Sequence, residues 1–295
     1  MAKPKVFKPA FWRSAARFGK GALLHAALSR SGIAKGNPKH VLGFGAVYDL
    51  FLQASSKTPN RQAYNLLQAF KNYVLLSDTV FDSPDYFPRQ RKKFGIKDWK
   101  AIGPARASAK DFVGLLKKSG LNRQQQKQMV VVFSEFRKKA AIAVERTMQN
   151  PFASKEEALA GVCNTTGLFF GTIAELAGIA HKVNAQRLRE TKTALANFAN
   201  ALQIKDDLRD AVMDCGKVQN TVVSISLKYP EEHSRLLEKA RTSAGMKHLE
   251  EWVAANLPKT KAEATRTFEQ FVERIPKTKN TARIIRACRD IFNGI

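Results

Sequence analysis

Apolar residues return at every third or fourth position along almost the whole 295-residue chain, and one short stretch, TVVSIS at 221–226, reads equally well with a period of two. A repeat near 3.6 puts those residues on one face of a helix, and a chain built from such helices buries them by packing helix on helix. The pattern predicts helices over 41–56, 60–83, 108–119, 123–149, 155–181, 184–213, 231–256, 260–275 and 280–293. Turn-forming stretches separate them: KGNPKH, DSPDYFP, GLNR, NPF, DCGK, KYPEE and NLPKT. No linker or solenoid repeat divides residues 36–295, which read as one all-α domain.

Charge narrows the partners. Fifty Lys and Arg face 25 Asp and Glu, a formal charge of +25, which draws polyanions: nucleic acid, anionic lipid or a phosphorylated substrate. No zinc finger, RNA-recognition motif or basic heptad region is present, so nucleic acid is not favoured. The first 48 residues hold nine basic side chains and no acid. Within them, residues 1–35 form a basic segment that reads as a targeting peptide, a membrane-surface helix or a basic first helix. These readings leave the localisation as cytoplasmic, with peripheral membrane contact or organellar import open. Three cysteines without a CxxC pair exclude a disulfide framework and a zinc knuckle, and fit a reducing compartment. The apolar run 158–180, ALAGVCNTTGLFFGTIAELAGIA, approaches the length of a membrane span. Asn164, Thr165, Thr166 and Glu175 interrupt it, so it reads as the buried central helix of a bundle, with Glu175 and His181 as polar groups satisfied by neighbours.

Acidic residues are scarce, yet seven of the eleven Asp fall in two short stretches. SDTVFDSPD carries Asp78, Asp82 and Asp85; ALQIKDDLRDAVMD carries Asp206, Asp207, Asp210 and Asp214. A step of four residues is about one helical turn, so Asp78 with Asp82, and Asp206 with Asp210 and Asp214, share faces about 6 Å apart. Like charges at that spacing destabilise a helix, more so in apolar surroundings, unless a cation compensates. Oxygen ligands with no His or Cys nearby point to a hard ion, Mg²⁺ rather than Zn²⁺. Pro84 ends the first helix and leaves Asp85 on a loop. Asp207 lies 100° around the helix from Asp206, placed either to ligate less directly or to orient a neighbour.

Both stretches resemble the class I trans-isoprenoid synthases. ALQIKDDLRD is similar to the FQIxDDxxD motif of prenyl diphosphate synthases. It is also similar to ALQxxNIxRDxxxD of squalene and phytoene synthases, through Ala201, Leu202, Gln203, Leu208, Arg209, Asp210 and Asp214. SDTVFD resembles the first motif of either branch, without the second Asp of DDxxD. NTTGLF at 164–169 is similar to KTxxLF of the elongating branch, with Asn164 in place of the phosphate-binding Lys. QNTVVSISLKYPEE at 219–232 is similar to the helix after that branch's second motif. The likeness covers residues 40–235. It departs from the family at GGKxxRP, whose poor counterpart is AKGNPKH, and at RRG, matched only by RQRKK.

The resemblance implies a bundle of about ten helices around a central cavity, the isoprenoid synthase fold, and a prenyltransferase or terpene synthase activity. Asp78, Asp82, Asp206, Asp207, Asp210 and Asp214 would hold Mg²⁺, three ions with the diphosphate. Arg89, Arg91, Lys205, Arg209 and Gln203 would contact the diphosphate of an allylic prenyl substrate. Phe70, Tyr73, Val74, Phe169 and Phe170 would line the prenyl pocket, with Tyr73 closing its floor. Plain surface charge for the bases, a neighbour-satisfied amide for Gln203 and core packing for the aromatics are the alternative readings. Chain elongation, head-to-head condensation and cyclisation remain open, as do a homodimer, contact with an anionic membrane and a non-catalytic assembly role.

Overall fold

The computed structural model describes residues 38–82, 103–149, 154–214, 220–226 and 243–292. The basic segment 1–35 lies outside the described residues, as do Asp85, Arg89 and Arg91. Ten α-helical segments fill the described parts: α1 (Pro38–Ser55), α2 (Arg61–Asp82), α3 (Gly103–Lys117), α4 (Arg123–Gln149), α5 (Lys155–Val162), α6 (Leu168–Ala180), α7 (Ala185–Asp214), α8 (Thr221–Ser226), α9 (Ser243–Glu273) and α10 (Ala282–Phe292). A π-helical turn, Cys163–Gly167, joins α5 to α6. No strand occurs among the described residues, and the ambiguous TVVSIS is helical.

Asparagines begin several of these helices. Asn60, Asn122, Asn184 and Asn220 accept the backbone N–H three residues on at 3.0, 2.9, 2.9 and 3.1 Å, satisfying donors that the first turn leaves without a partner. The GLNR stretch makes the tight turn between α3 and α4. Gly120 takes φ +66°, a conformation that costs a residue without a Cβ little. Asn122 and Gln125 then cap each other, with the Asn122 N–H donating to Gln125 Oε1 at 3.3 Å.

Two boundaries differ from the sequence reading. Helix α3 starts at Gly103, five residues before the predicted 108. NLPKT does not break the chain, because α9 runs unbroken through Pro258. Pro258 is exposed, while Val253, Thr260, Ala264, Phe268, Phe271 and Val272 on either side are buried. Tertiary packing of that face outweighs the hydrogen bond that proline deletes. The Thr260 hydroxyl also donates back to the Asn256 carbonyl at 3.0 Å.

The core is aromatic on one side of α6 and small on the other. Phe70 of α2 is fully buried and meets Phe112 of α3, Phe133 and Phe136 of α4 and Phe169 of α6, with ring centroids 6.3, 6.1, 4.9 and 5.8 Å away. Edge-to-face contacts of this kind add to the area they bury. Against α7, the π-helical turn and α6 present Gly167, Gly171 and Gly178, which lie on Asn200, Ala196 and Leu188. The stretch Lys155–Ala180 is long and apolar enough to cross a membrane by composition. Here it carries the core instead: Ile173, Ala174, Leu176 and Ala177 are enclosed by protein.

These contacts fix direction. The end of α6 lies beside the start of α2, where His181 and Tyr64 both touch Tyr48, and Phe169 near the start of α6 meets Phe70 farther along α2. Helices α2 and α6 are therefore antiparallel. Helix α7 is antiparallel to α6 as well, since Leu188 lies on Gly178 and Asn200 on Gly167. Both acidic stretches are thus carried to one end of the bundle, the end where α6 begins. At 1.5 Å of rise per residue, Asp78 stands about 12 Å beyond Phe70, and Asp206 and Asp210 stand about 5 and 10 Å beyond Gln203.

At the opposite end the Tyr48 hydroxyl and His181 Nε2 are 2.8 Å apart. Burial, helped by the Lys57 charge, pushes the His181 imidazole down to about 4, so it stays neutral at pH 7. Because the unfolded chain binds that proton near 6.5, this contribution is intact above 6.5 and is lost as pH falls through about 4. The fall in melting temperature between pH 7 and pH 4.5 is therefore expected to be smaller in His181→Phe than in wild type, checked by thermal melts across that range.

Candidate functional site

The second acidic stretch occupies the last turns of α7, and its three described carboxylates do different things. Arg209 binds two of them. Its Nε and Nη2 donate to Asp210 Oδ1 and Oδ2 at 2.8 and 2.7 Å, and Nη2 lies 2.5 Å from Asp206 Oδ1. A guanidinium fork matches a carboxylate in this way because its N–H groups are fixed in one plane. The Arg209 pairing holds Asp210 below the usual carboxylate range. Asp206 and Arg209 are more than half exposed, at 54% and 68% of the side chain, while Asp210 is 22% exposed.

Asp207 turns inward. Its Oδ1 accepts from Gln203 Nε2 at 2.6 Å and its Oδ2 accepts the Thr221 N–H, the first of α8, at 3.0 Å. Asn220 Nδ2 donates to the Asp207 backbone carbonyl at 2.7 Å, so the start of α8 is tied to this one turn of α7. Burial lifts the Asp207 carboxyl to about 6, with its hydrogen bonds opposing the shift. Gln203 is held from its other end by the Thr166 hydroxyl, which donates to Oε1 at 2.9 Å. The chain Thr166–Gln203–Asp207–Thr221 links the π-helical turn, α7 and α8. Asp207 thus joins Gln203 to the start of α8. Gln203 is an amide satisfied by its neighbours.

The π-helical turn explains how Thr166 gets there. The Leu168 N–H reaches back to the Cys163 carbonyl, widening the helix by one residue, as short π segments do. Thr165 bonds the Gly161 carbonyl at 2.8 Å, which leaves Thr166 to face Gln203. A Cβ on Gly167 would collide with the Asn200 side-chain amide, so the close approach to α7 requires glycine here. Asn164, the residue aligned with a phosphate-binding Lys, is exposed. It lines a cavity of about 670 Å³ between α4, α6 and α7, together with Glu135, Lys139, Cys163, Lys192 and Asn200. No described residue of α2 lines that cavity. Within NTTGLF it is Thr166 whose side chain hydrogen-bonds Gln203 of the acidic helix. Its sequence signal is weak: only the glycine beside it marks a close approach.

Asp78 and Asp82 occupy the last two turns of α2, and Asp214 ends α7; their side chains lie outside the described residues. Lys205 lies half-buried one turn before Arg209. Of the aromatic candidates, Phe70 is enclosed by other rings. Phe169 and Phe170 are half-buried with centroids 5.3 Å apart. Tyr73 meets Phe133 at 5.0 Å, under the Arg137 guanidinium, and Val74 beside it is half-buried. Among the described residues no three acidic, His or Cys side chains gather into a metal set. Asp206 and Asp210 do converge on one cationic group, the Arg209 guanidinium, so this face of α7 fits a cation held by hard oxygen donors.

No family model matches the chain, and no curated protein matches it by sequence. Solved structures do match it in fold. A geranylgeranyl pyrophosphate synthetase from Pyrococcus horikoshii superposes with a TM-score of 0.69 at 14% identity, over 96% of this chain and 98% of its own. A decaprenyl diphosphate synthase from Rhodobacter capsulatus gives 0.66 at 14%, over 97% and 99%. A geranylgeranyl pyrophosphate synthase from Corynebacterium glutamicum, complexed with calcium and isoprenyl diphosphate, gives 0.65 at 15%, over 99% of both chains. The chain has the all-α fold of these synthases along nearly its full length.

The tight contact at position 167 has a measurable consequence. Gly167→Ala is expected to cost about 1–3 kcal/mol in stability, the usual range for overpacking. Gly114→Ala, whose added Cβ meets nothing within 4 Å, is expected to cost nothing and to gain slightly from helix propensity. Urea unfolding of the two variants beside wild type checks the contrast.

Proposed function

We propose that this chain is a Mg²⁺-dependent prenyltransferase that ionises an allylic prenyl diphosphate and transfers the prenyl group, by chain elongation in preference to head-to-head condensation or cyclisation. The observation that carries the reading is that α6, antiparallel to both α2 and α7, brings Asp78 and Asp82 to the same end of the fold as Asp206 and Asp210. The fold shared with geranylgeranyl and decaprenyl diphosphate synthases supports it, and so does the isoprenyl diphosphate and divalent ion bound by one of them.

In this reading Asp78 and Asp82 on α2, and Asp206 and Asp210 on α7, would hold the cation. Asp207 fixes the turn on which Asp206 and Asp210 stand, by way of Gln203 and the start of α8. Magnesium, when bound, would grip the diphosphate oxygens and take up the charge that grows as the C–O bond breaks. Lys205 and Arg209 lie on the same turns of α7 for the remaining phosphate charge. The carbocation left behind must be kept from water, a task for the apolar surface of Phe169, Phe170 and Tyr73. The net charge of +25 suits a phosphorylated lipid substrate and a basic face held against an anionic membrane.

Purified protein given Mg²⁺, farnesyl or geranylgeranyl diphosphate and isopentenyl diphosphate is expected to release pyrophosphate and form a longer prenyl diphosphate, read by mass spectrometry. Asp78→Ala and Asp210→Ala are each expected to lower turnover by about 100-fold or more. Equal turnover in wild type and both variants contradicts the reading.

A further inference from the structure

Arg209 stands where a cation would be expected. Asp206 and Asp210 are one helical turn apart on a face open to solvent, and two carboxylates at that spacing repel. The guanidinium offsets that repulsion by bonding both: Nε and Nη2 to Asp210, and Nη2 to Asp206. It sits on the same helix as its partners, between them in sequence, so the bridge forms without help from any other element. Its side chain is 68% exposed, which leaves it room to swing into solvent.

We propose that Arg209 is an internal counter-ion that competes with the divalent metal for Asp206 and Asp210, so that metal entry exchanges one cation for another. The inference rests on the prenyltransferase reading, which assigns those carboxylates to the metal. It differs from that reading's use of Arg209 as a diphosphate ligand, because the exchange happens with no diphosphate present. Its consequence is a site whose metal affinity is set below what the carboxylates alone would give. Without a divalent ion the guanidinium offsets one of the two negative charges. With one bound, a guanidinium is released at the rim of the site. Exposed ion pairs are individually weak, so the competition amounts to a modest factor rather than a block.

The test reads metal binding and not turnover. Mn²⁺ is titrated into the full chain without diphosphate, and free ion is measured by electron paramagnetic resonance, with Mg²⁺ added in competition. Arg209→Gln is expected to bind both ions about three- to tenfold more tightly than wild type, the factor that the loss of two exposed ion pairs corresponds to. Arg209→Lys, which keeps the charge and loses the fork, falls between the two. Asp210→Asn binds more weakly than wild type. Far-UV circular dichroism and urea unfolding verify that the variants fold, as substitution at an exposed position should permit. An unchanged or weaker Mn²⁺ affinity in Arg209→Gln overturns the proposal while leaving the metal site standing. If the same variant loses affinity for inorganic pyrophosphate with Mn²⁺ affinity unchanged, Arg209 is an anion ligand and the proposal is overturned. Absence of saturable Mn²⁺ binding in wild type and in every variant overturns the proposal, and its absence with inorganic pyrophosphate added as well overturns the reading beneath it.

Discussion

Helix α6 can lie as close to α7 as it does because position 167 carries no Cβ, and the placing of the acidic helix depends on that approach. The Asn200 amide occupies the space a side chain at 167 would need. Directly beside it Thr166 reaches Gln203, and Gln203 reaches Asp207. The π-helical turn supplies the rotation that makes this chain of bonds continuous. A regular α-helix through residues 163–167 would turn Thr166 relative to Gly167 by a different amount and would separate the glycine contact from the hydroxyl contact.

The consequence is a division of labour among neighbouring carboxylates. Asp207 is enclosed, doubly hydrogen-bonded and lifted to about 6, and it binds the beginning of α8 to α7. Asp206 and Asp210 stay toward solvent, paired with a guanidinium and available to a cation. One step along the sequence, 100° of helix rotation, separates an enclosed acid from two that share a guanidinium. The same α6 that anchors α7 also packs Phe169 on Phe70 of α2. One buried helix therefore orients both acidic stretches, and its antiparallel packing on each sends them the same way.

Much of this is legible from residues alone. The 3.6-residue repeat identifies the all-α class, and GLNR with Gly120 marks the boundary between α3 and α4. The clustering of seven Asp in a basic chain singles out α2 and α7. The parts that are not legible depend on contacts between elements distant in the chain. Pro258 reads as a breaker because the loss of its N–H is local, whereas the burial of Phe268 and Phe271 that holds α9 together is not. The likeness of NTTGLF to KTxxLF aligns Asn164 with a Lys but says nothing of Thr166, because the π-helical turn that aims Thr166 at Gln203 is not visible in the spacing. Spacing puts Asp207 100° from Asp206 but does not show that it bonds Gln203 and the N–H of Thr221.

The central claim is that two acidic stretches about 128 residues apart hold one shared cluster of ions. It is tested most directly by diffraction from crystals soaked in Mn²⁺ and inorganic pyrophosphate, using the anomalous signal of the metal to locate it. Peaks that contact the carboxylates of Asp78 or Asp82 and, across the same pyrophosphate, those of Asp206 or Asp210 are the expected result. Peaks confined to one stretch, or scattered over the outer surface with the pyrophosphate elsewhere, would contradict it.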